Sequence, residues 1–171
     1  METWDAIQAR RDVREFADRP VPQPQLDQIL DAGRRAPSSQ NTQPWDFVVV
    51  TQRERLGELS TVWQGAGHVA QSAATVALVA PIPRDEHQRT QIMFDLGQAA
   101  MSIQTEAADL GIGTGHSAVG DQERARRILG IPEGRFCAYL IPMGYPADRP
   151  LQPVERPNRR PFNEVVHREH W

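Results

Sequence analysis

The sequence predicts a chain that combines several helices with a few short, buried strands. Apolar runs at residues 47–50, 74–79 and 136–141 are short and lack polar alternation, which is typical of strands inside a sheet. The longest helical pattern covers residues 89–110, where apolar residues recur at helical spacing and small residues form a second side. A helix of that kind is usually buried between layers or between subunits. The chain therefore belongs to a mixed α and β class.

Composition limits the classes of protein to which the chain can belong. Its 171 residues fit one domain, and 39% hydrophobic residues give a modest core, which hints that a partner subunit completes it. The net charge of −3 lacks the excess positive charge that is typical of nucleic-acid-binding proteins. The longest apolar run is too short to span a bilayer. Cys137 is the only cysteine, and no signal-peptide pattern opens the chain. We expect a soluble, cytoplasmic protein without nucleic-acid or membrane partners.

Capping and turn residues predict the first two helices. Thr3 is expected to cap the first helix, whose apolar side includes Trp4 and Ile7. Pro24 suits the first turn of the second helix because its missing N–H would be unpaired there, and Pro37 ends that helix. One face of the second helix is apolar or small and comprises Leu26, Ile29, Leu30 and Gly33.

The middle of the chain reads as short elements separated by turns. Weak helical patterns cover residues 54–59 and 65–72, and residues 111–120 form a glycine-rich strand and loop. Asp121 is placed to cap a helix that ends at Gly130. The three predicted strands are therefore connected through helices and a glycine-rich segment.

The chain changes character after Tyr145. Five prolines make this part extended and unable to fold alone, so it needs a surface on which to lie. We divide the chain into a core, residues 1–145, and an extended C-terminal tail of the same domain, residues 146–171.

The loop at residues 37–45, Pro-Ser-Ser-Gln-Asn-Thr-Gln-Pro-Trp, connects the second helix to the first strand. It holds small hydroxyl and amide side chains between two prolines, in a fixed array at the mouth of a strand. Asn41 and Gln43 can each donate and accept hydrogen bonds, which suits a flat ring with alternating carbonyl and N–H groups. Taken alone, the loop is equally well a helix-to-strand connection without a ligand.

Further motifs occur in a fixed order along the chain. Residues 10–14 read Arg-Arg-Asp-Val-Arg, residues 110–114 read Leu-Gly-Ile-Gly-Thr, and residues 142–144 read Pro-Met-Gly. The tail contains Arg-Arg-Pro-Phe-Asn-Glu-Val-Val-His at residues 159–167. Together with the loop at 37–45, this ordered set resembles the nitroreductase family of FMN-dependent oxidoreductases over nearly the whole chain.

The resemblance implies a fold and an assembly. It implies an α+β sandwich with a mixed, largely antiparallel central sheet that helices flank. It also implies a homodimer with FMN bound at the interface, a central dimer helix at residues 89–110, and a tail that embraces the other subunit. The alternative for residues 89–110 is a core helix of a monomer.

The resemblance also implies a phosphate site built from arginines. Guanidinium groups form bidentate, charge-assisted bonds to phosphate oxygens. The candidates in the N-terminal motif are Arg10 and Arg14, and those in the tail are Arg159 and Arg160. Arg11 is also expected among the cofactor contacts. Arg14 is expected near the ribityl chain and the N1/C2=O edge of the flavin, where a positive group stabilises the reduced ring.

Asp12 departs from the family pattern, which commonly has serine at this position. An aspartate near a phosphate must be offset by surrounding arginines, or it bonds ribityl hydroxyls. The same motif is similar to the oxygen-dependent flavin-cleaving branch that makes dimethylbenzimidazole. The Asn-Thr-Gln-Pro-Trp segment favours the ordinary reductase branch.

Two loops carry the remaining cofactor contacts that the resemblance implies. The partner subunit is expected to contribute Pro37, Ser38, Ser39 and Asn41. Backbone N–H groups at His116, Ser117 and Ala118 are expected to face flavin N5. Gln64 occupies a place where the family often has asparagine, and no lysine follows at Gly67. Two interpretations of His116 stay open. It acts as an acid or base in the reaction, or it is a loop residue with only a conformational role.

Other residues are assigned to the fold rather than to the ligand. Gln43 is expected to organise its loop, and Trp45 is expected in the core. Cys137 lies in an apolar strand as a small hydrophobic residue. The five histidines lack metal-ligand spacing, so no metal site is predicted.

The implied reaction passes hydride from NAD(P)H through flavin N5 to a small electron-poor acceptor by a ping-pong mechanism. A nitroaromatic, a quinone or a flavin fits that description, and the short chain predicts an open site with loose acceptor choice. Two alternatives stay open: the oxygen-dependent flavin-cleaving enzyme and a non-catalytic FMN-binding module. Arg14 distinguishes the oxidoreductase from the non-catalytic FMN-binding module, because a protein that only binds the FMN phosphate needs no positive charge at the N1 edge of the flavin.

Overall fold

The fold is built around a five-stranded sheet in a computed structural model that describes residues 1–171. The strands run in the order β1-β2-β5-β3, and β4 also pairs with β5. All pairings between these strands are antiparallel, and a single parallel bridge joins Asp12 to Thr114. The predicted mixed, largely antiparallel sheet is therefore confirmed. The strands are β1 (Asp46–Val50), β2 (Ala74–Pro81), β3 (Gly113–Thr114), β4 (Ser117–Ala118) and β5 (Arg135–Gly144).

Helices cover both faces of the sheet. They are α1 (Thr3–Ala9), α2 (Gln23–Arg34), α3 (Arg53–Leu59), α4 (Glu86–Asp109), α5 (Gln122–Leu129) and α6 (Phe162–Val165), with 3-10 turns at Ser39–Asn41 and Gly67–Gln71. Side chains alternate along β2, so that Val76 and Leu78 join a core with α2 and α4. Ala77 and Val79 point to the other face and join α3, the second 3-10 turn and α5. These two cores on either side of one sheet confirm the predicted sandwich.

The long helix α4 begins earlier than its apolar pattern indicates. The side chain of Asp85 accepts a hydrogen bond from the Gln88 backbone N–H at 2.8 Å, so it caps the helix ahead of residue 89. The periodic apolar side is buried as predicted and includes Ile92, Leu96, Ala99, Ile103 and Ala107. The second side is not buried within the chain, because Met101 is 40% exposed and Phe94 is 66% exposed.

Predictions for the first helix are wrong in two respects. Thr3 is the first helical residue, and Glu2 precedes it without a side-chain capping bond. The buried side of α1 consists of Ala6 and Ala9, whereas Trp4 and Ile7 are exposed. The small alanines allow α1 to lie close to α4, and the larger residues therefore face outward.

The first strand is less buried than its sequence predicts. Phe47, Val48 and Val49 are only partly buried, because β1 lies at the edge of the sheet and pairs with β2 alone. A continuous apolar run does not distinguish an edge strand from a central strand. The central strand β2 is buried along nearly its whole length.

Most other local predictions are confirmed. Pro24 lies in the first turn of α2, Asp121 caps α5 by accepting the Arg124 N–H at 2.9 Å, and Gly130 ends that helix with φ +65°. Trp45 is buried and stacks with Phe47. No helix has the length and apolar character needed to cross a membrane.

The first part of the tail lies against the N-terminal segment of its own chain. The Ala147 N–H donates to the Glu15 carbonyl at 3.0 Å. Arg11 donates to the Asp148 carboxylate at 2.7 Å and to the Arg149 carbonyl at 2.9 Å. These contacts position the rest of the tail beside α1. The contact between the tail and a partner subunit stays a prediction.

Candidate functional site

A cavity of about 640 Å³ lies between α1 and the tail. Arg10, Arg11 and Asp12 line it from the N-terminal motif, and Arg159 lines it from the tail. Arg160 points elsewhere, and its Nε atom lies 3.6 Å from the Glu164 carboxylate. The fold therefore brings together three guanidinium groups and one carboxylate from distant parts of the sequence.

Arg11 differs from the other arginines in this cavity because the tail already engages its guanidinium. Its hydrogen bond lowers the pKa of the Asp148 carboxyl below the ordinary value, and the Arg149 N–H adds to this effect. Arg11 thus fixes the start of the tail, whereas Arg159 has only a local bond to the Asn158 carbonyl.

Asp12 lies at the centre of a charged cluster. Its Oδ1 atom accepts a hydrogen bond from Arg10 Nη1 at 3.0 Å, and its Oδ2 atom lies 3.4 Å from His116 Nδ1. The Val13 N–H donates to the Thr114 carbonyl at 2.9 Å, which fixes this segment against β3. The carboxylate is therefore offset by a neighbouring arginine, as its position near an anion site requires.

His68 is a further residue of this region that the sequence does not predict. Its Nε2 atom is buried without a hydrogen-bond partner, which is rare for a buried polar atom. Burial is the main cause that lowers its pKa, and the positive charges of Arg14 and His116 add to the effect. The Gly65 carbonyl and the Asp12 carboxylate oppose it. The available sequence signal was that His68 is the only titratable residue in the segment 65–72.

Arg14 is exposed and makes no ion pair within 4.0 Å of a carboxylate. The positive charge of Arg14 helps to lower the pKa of His68, and the charges of His116 and Asp12 also affect that pKa. Arg14 therefore lies on the same side of the molecule as Asp12 and His116. A guanidinium without a protein partner keeps all its donors for a ligand.

The two ends of the glycine-rich segment 115–120 lie against different parts of the chain. A Cβ atom at Gly115 would lie 2.8 Å from the Val13 carbonyl oxygen and 3.3 Å from Nε2 of His68 in the second 3-10 turn. At the other end, a Cβ atom at Gly120 would lie 2.5 Å from the Trp63 ring, in the loop before that turn. Glycine at both ends therefore permits these close approaches, and the loop before the turn also carries the exposed Gln64.

The residues predicted to face flavin N5 lie between those two glycines. Ser117 and Ala118 form β4, and the Ser117 hydroxyl donates to the Ala118 carbonyl at 3.0 Å. The Ser117 hydroxyl therefore donates its proton to the protein backbone rather than to a ligand. His116 is more than half exposed and is the side chain of this segment that is open to a ligand.

The loop at residues 37–45 has an unusual backbone. Gln40, Asn41 and Gln43 have φ values of +52°, +55° and +48°, in the left-handed region that non-glycine residues rarely adopt. The Gln43 N–H donates to the Ser38 hydroxyl at 2.9 Å, so Gln43 organises the loop as predicted. Strained backbone of this kind is retained where the surrounding structure holds it, often at binding sites.

Asp95 holds the loop at 37–45 on α4. This carboxylate is only 1% exposed and accepts the Ser39 N–H at 3.0 Å. Sequence reasoning missed it, although an acidic residue on the buried face of an apolar helix is a recognisable signal. Ser39 of this loop lines a different cavity from the arginines, and Pro37, Ser38 and Asn41 do not line the cavity of Arg10 either.

A second cleft, of about 310 Å³, adjoins the charged cluster. Arg10 and His116 stand at this cleft, and apolar or small residues of α4 and the sheet form most of its wall. That wall includes Leu78, Met93, Gly97, Ala100, Tyr139 and Ile141. It offers a surface to a flat apolar ring beside cationic and titratable groups.

The donor set fits FMN. The arginine-lined cavity suits a phosphate, and the uncommitted Arg14 suits a polar ring edge. Burial raises the pKa of the Cys137 thiol to about 12, so Cys137 is a hydrophobic core residue, as predicted.

The sequence profile described as the Nitroreductase family matches residues 7–78 and 60–145. The chain belongs to the nitroreductase family. Like the motifs from which it was predicted, this match spans the core of the chain. The family assignment confirms an FMN-dependent oxidoreductase.

Individual nitroreductase-family proteins are similar over almost the entire length of this chain. A protein of Methanothermobacter thermautotrophicus with the provisional name NADH dehydrogenase/NAD(P)H nitroreductase is 33% identical, across 100% of this chain and 88% of its own. The FMN reductase (NAD(P)H) of Bacillus subtilis is 28% identical, across 98% of this chain and 74% of its own. A solved structure from Parabacteroides distasonis also has the provisional name NADH dehydrogenase/NAD(P)H nitroreductase. It superimposes with a TM-score of 0.82 at 26% sequence identity, and the match covers 97% of this chain and 96% of the Parabacteroides chain. The predicted sandwich fold is thereby confirmed.

The lowered pKa of His68 predicts a pH-dependent stability for this nitroreductase. The unfolded chain binds more protons than the folded chain near the ordinary histidine pKa of about 6.5. Stability is therefore complete above that pH and falls as the pH decreases below it. We expect His68→Gln to reduce the difference in Tm between pH 7.5 and pH 5, where each kcal/mol corresponds to roughly 2–4 °C.

The control for this measurement is His87→Gln, since His87 is exposed at the start of α4. This variant should keep the pH dependence of the wild type in the same thermal melts. Equal pH dependence in wild type and His68→Gln would show that His68 does not titrate on unfolding.

Proposed function

We propose that this nitroreductase-family protein passes hydride from NAD(P)H to a small electron-poor acceptor in a ping-pong reaction on FMN. The observation that carries the proposal is the cavity in which Arg10 of the N-terminal motif meets Arg159 of the tail. Two motifs that lie at opposite ends of the sequence form one cationic site there. The acceptors that suit an open, partly apolar cleft are nitroaromatics, quinones and flavins.

The cofactor contacts follow from the free donors of this chain. Arg10 and Arg159 bind the phosphate. Arg11 donates to the Asp148 carboxylate at the start of the tail, and this bond helps to position Arg159 further along the tail. Arg14, which has no protein partner, binds the N1/C2=O edge and favours the reduced ring. When bound, FMN supplies the hydride chemistry itself.

The loop at residues 37–45 completes the site of the other subunit. Its strained backbone and its attachment to Asp95 give Ser38, Ser39 and Asn41 a fixed position. Because none of them lines the cavity of Arg10 within one chain, a second copy is needed to bring both sets to one FMN. NAD(P)H docks transiently, and no separate nucleotide-binding domain is required.

The flavin-cleaving reaction is a weaker alternative. The similarity of the N-terminal motif to that branch rests on Asp12, and this carboxylate is already paired with Arg10 and near His116. Purely non-catalytic FMN binding is also less favoured, because the unpartnered Arg14 is not needed for a phosphate.

An anaerobic absorbance titration tests the proposed function. Protein loaded with FMN should bleach on addition of NADH or NADPH and regain the oxidised spectrum on addition of a quinone. A bound flavin that neither donor reduces would favour the binding module. Loss of the flavin chromophore with oxygen and reductant would instead identify the flavin-cleaving reaction.

The two tail arginines provide a matched pair of variants for the phosphate site. Arg159→Ala should weaken FMN binding, because a hydrogen bond to a charged group is worth about 1.5–3 kcal/mol, or roughly 10- to 150-fold in Kd. Arg160→Ala should leave the affinity unchanged, because Arg160 pairs with Glu164 outside the cavity. Quenching of FMN fluorescence measures both Kd values. The reverse order of effects would assign the phosphate to Arg160.

Exposed apolar residues support a homodimer. Phe94 on α4 is 66% exposed and Trp4 on α1 is 65% exposed, and Ile7 and Met101 are exposed on the same two helices. A second copy of the chain would cover this surface, as the modest hydrophobic content indicates.

Phe94→Glu should convert the dimer to a monomer, because it places a charge on the surface that the second copy covers. Sedimentation equilibrium measures the mass, and FMN occupancy should fall together with the dimer since each site needs both chains. Ile82→Glu is the control, because Ile82 is also 50% exposed but lies in the loop after β2. An unchanged mass for Phe94→Glu would remove α4 from the interface.

A further inference from the structure

We propose that His116 donates the proton that accompanies hydride when the acceptor is reduced, with Asp12 as its positioning residue. This inference rests on the proposed oxidoreductase function and adds a side chain to a reaction otherwise assigned to the cofactor. A general acid needs three things: a titratable group, a partner that fixes its orientation, and an open space for the substrate. The structure provides all three.

Asp12 fixes the orientation of the imidazole. His116 Nδ1 lies 3.4 Å from Asp12 Oδ2, and the second oxygen of the carboxylate is held by Arg10 Nη1 at 3.0 Å. Since Nδ1 faces the carboxylate, Nε2 is the ring nitrogen left to meet a ligand.

The backbone that carries His116 is fixed on both sides. The Gly115 N–H donates to the Pro142 carbonyl of β5 at 2.9 Å, and Ser117 pairs with Leu140 of the same strand. The absence of a Cβ atom at Gly115 lets the chain lie against the Val13 carbonyl. His116 therefore projects from a short segment anchored to the central strand, and its position does not depend on a mobile loop.

An acceptor has space beside His116. The histidine lines the cleft of about 310 Å³, whose wall includes Met93, Ala100 and Tyr139. An apolar wall with one proton donor suits a planar quinone or nitroaromatic, whose oxygen atoms become basic as electrons arrive. Arg10 at the same cleft attracts the negative charge that develops on such an oxygen.

The atoms and electrons of the step balance with a quinone as the acceptor. The quinone receives one hydride that originates from NAD(P)H, which leaves as NAD(P)⁺. It also receives one proton from His116, whose ring becomes neutral, and the product is the hydroquinone. His116 then recovers its proton from water, because its side chain is 54% exposed.

A pair of acceptors separates proton delivery from electron transfer. Benzoquinone reduction needs a proton, whereas ferricyanide takes up one electron at a time and needs none. With NADH as donor, His116→Gln should reduce kcat for benzoquinone by about 10²-fold or more, the usual contribution of a general acid. Its ferricyanide rate, measured at saturating FMN, should fall far less, so that the ratio of the two rates is the readout.

Two readouts show that the variant is otherwise intact. The Kd for FMN, measured by fluorescence quenching, should be unchanged in His116→Gln, because the proposed role is toward the acceptor. In His116→Ala, added imidazole should restore benzoquinone reduction without changing ferricyanide reduction. Asp12→Asn, saturated with FMN, should slow benzoquinone reduction more than ferricyanide reduction.

The outcomes distinguish this inference from the function on which it rests. A wild type that reduces neither acceptor would refute the proposed function itself. A wild type active with both, together with a His116→Gln variant that reduces benzoquinone equally fast, would refute proton donation. Equal losses with both acceptors would also refute it, since they would mean that His116 acts on the cofactor.

Discussion

The pairing of β5 with three other strands is the constraint on which the rest of the molecule depends. This ten-residue strand pairs with β2 along its length and with β3 and β4 near its C-terminal half. The glycine-rich segment is thereby fixed to the centre of the sheet. Asp12 and Val13 attach to Thr114, so the N-terminal motif is positioned by the same strand. One strand thus aligns the arginines and the histidine of the site.

Electrostatics organise the site as strongly as packing does. The cavity between α1 and the tail contains more positive than negative groups, and the one carboxylate that lines it is paired. Such a surplus is costly within a folded chain unless an anion binds. The arrangement is therefore that of a receptor for a negatively charged group, and an apolar cleft lies beside it.

The sequence predicted elements and motifs well and their surroundings less well. The apolar periodicity of α4 and the capping residues of α5 are local signals, and both are confirmed by the structure. Exposure of Trp4 and the edge position of β1 depend on which elements lie nearby, and a single sequence does not contain that information. Asp95 and His68 were missed for the same reason, because their roles arise from residues distant in sequence: Ser39 and Gly115.

The position of Arg159 has a consequence for the order of events during synthesis. It follows all five strands in the sequence and yet lines a cavity whose other wall is α1, the first helix described. The sheet can therefore begin to form before the ribosome has added Arg159. The cationic cavity is completed only after the sheet, and a cofactor that needs this arginine binds to a chain whose strands have already been made.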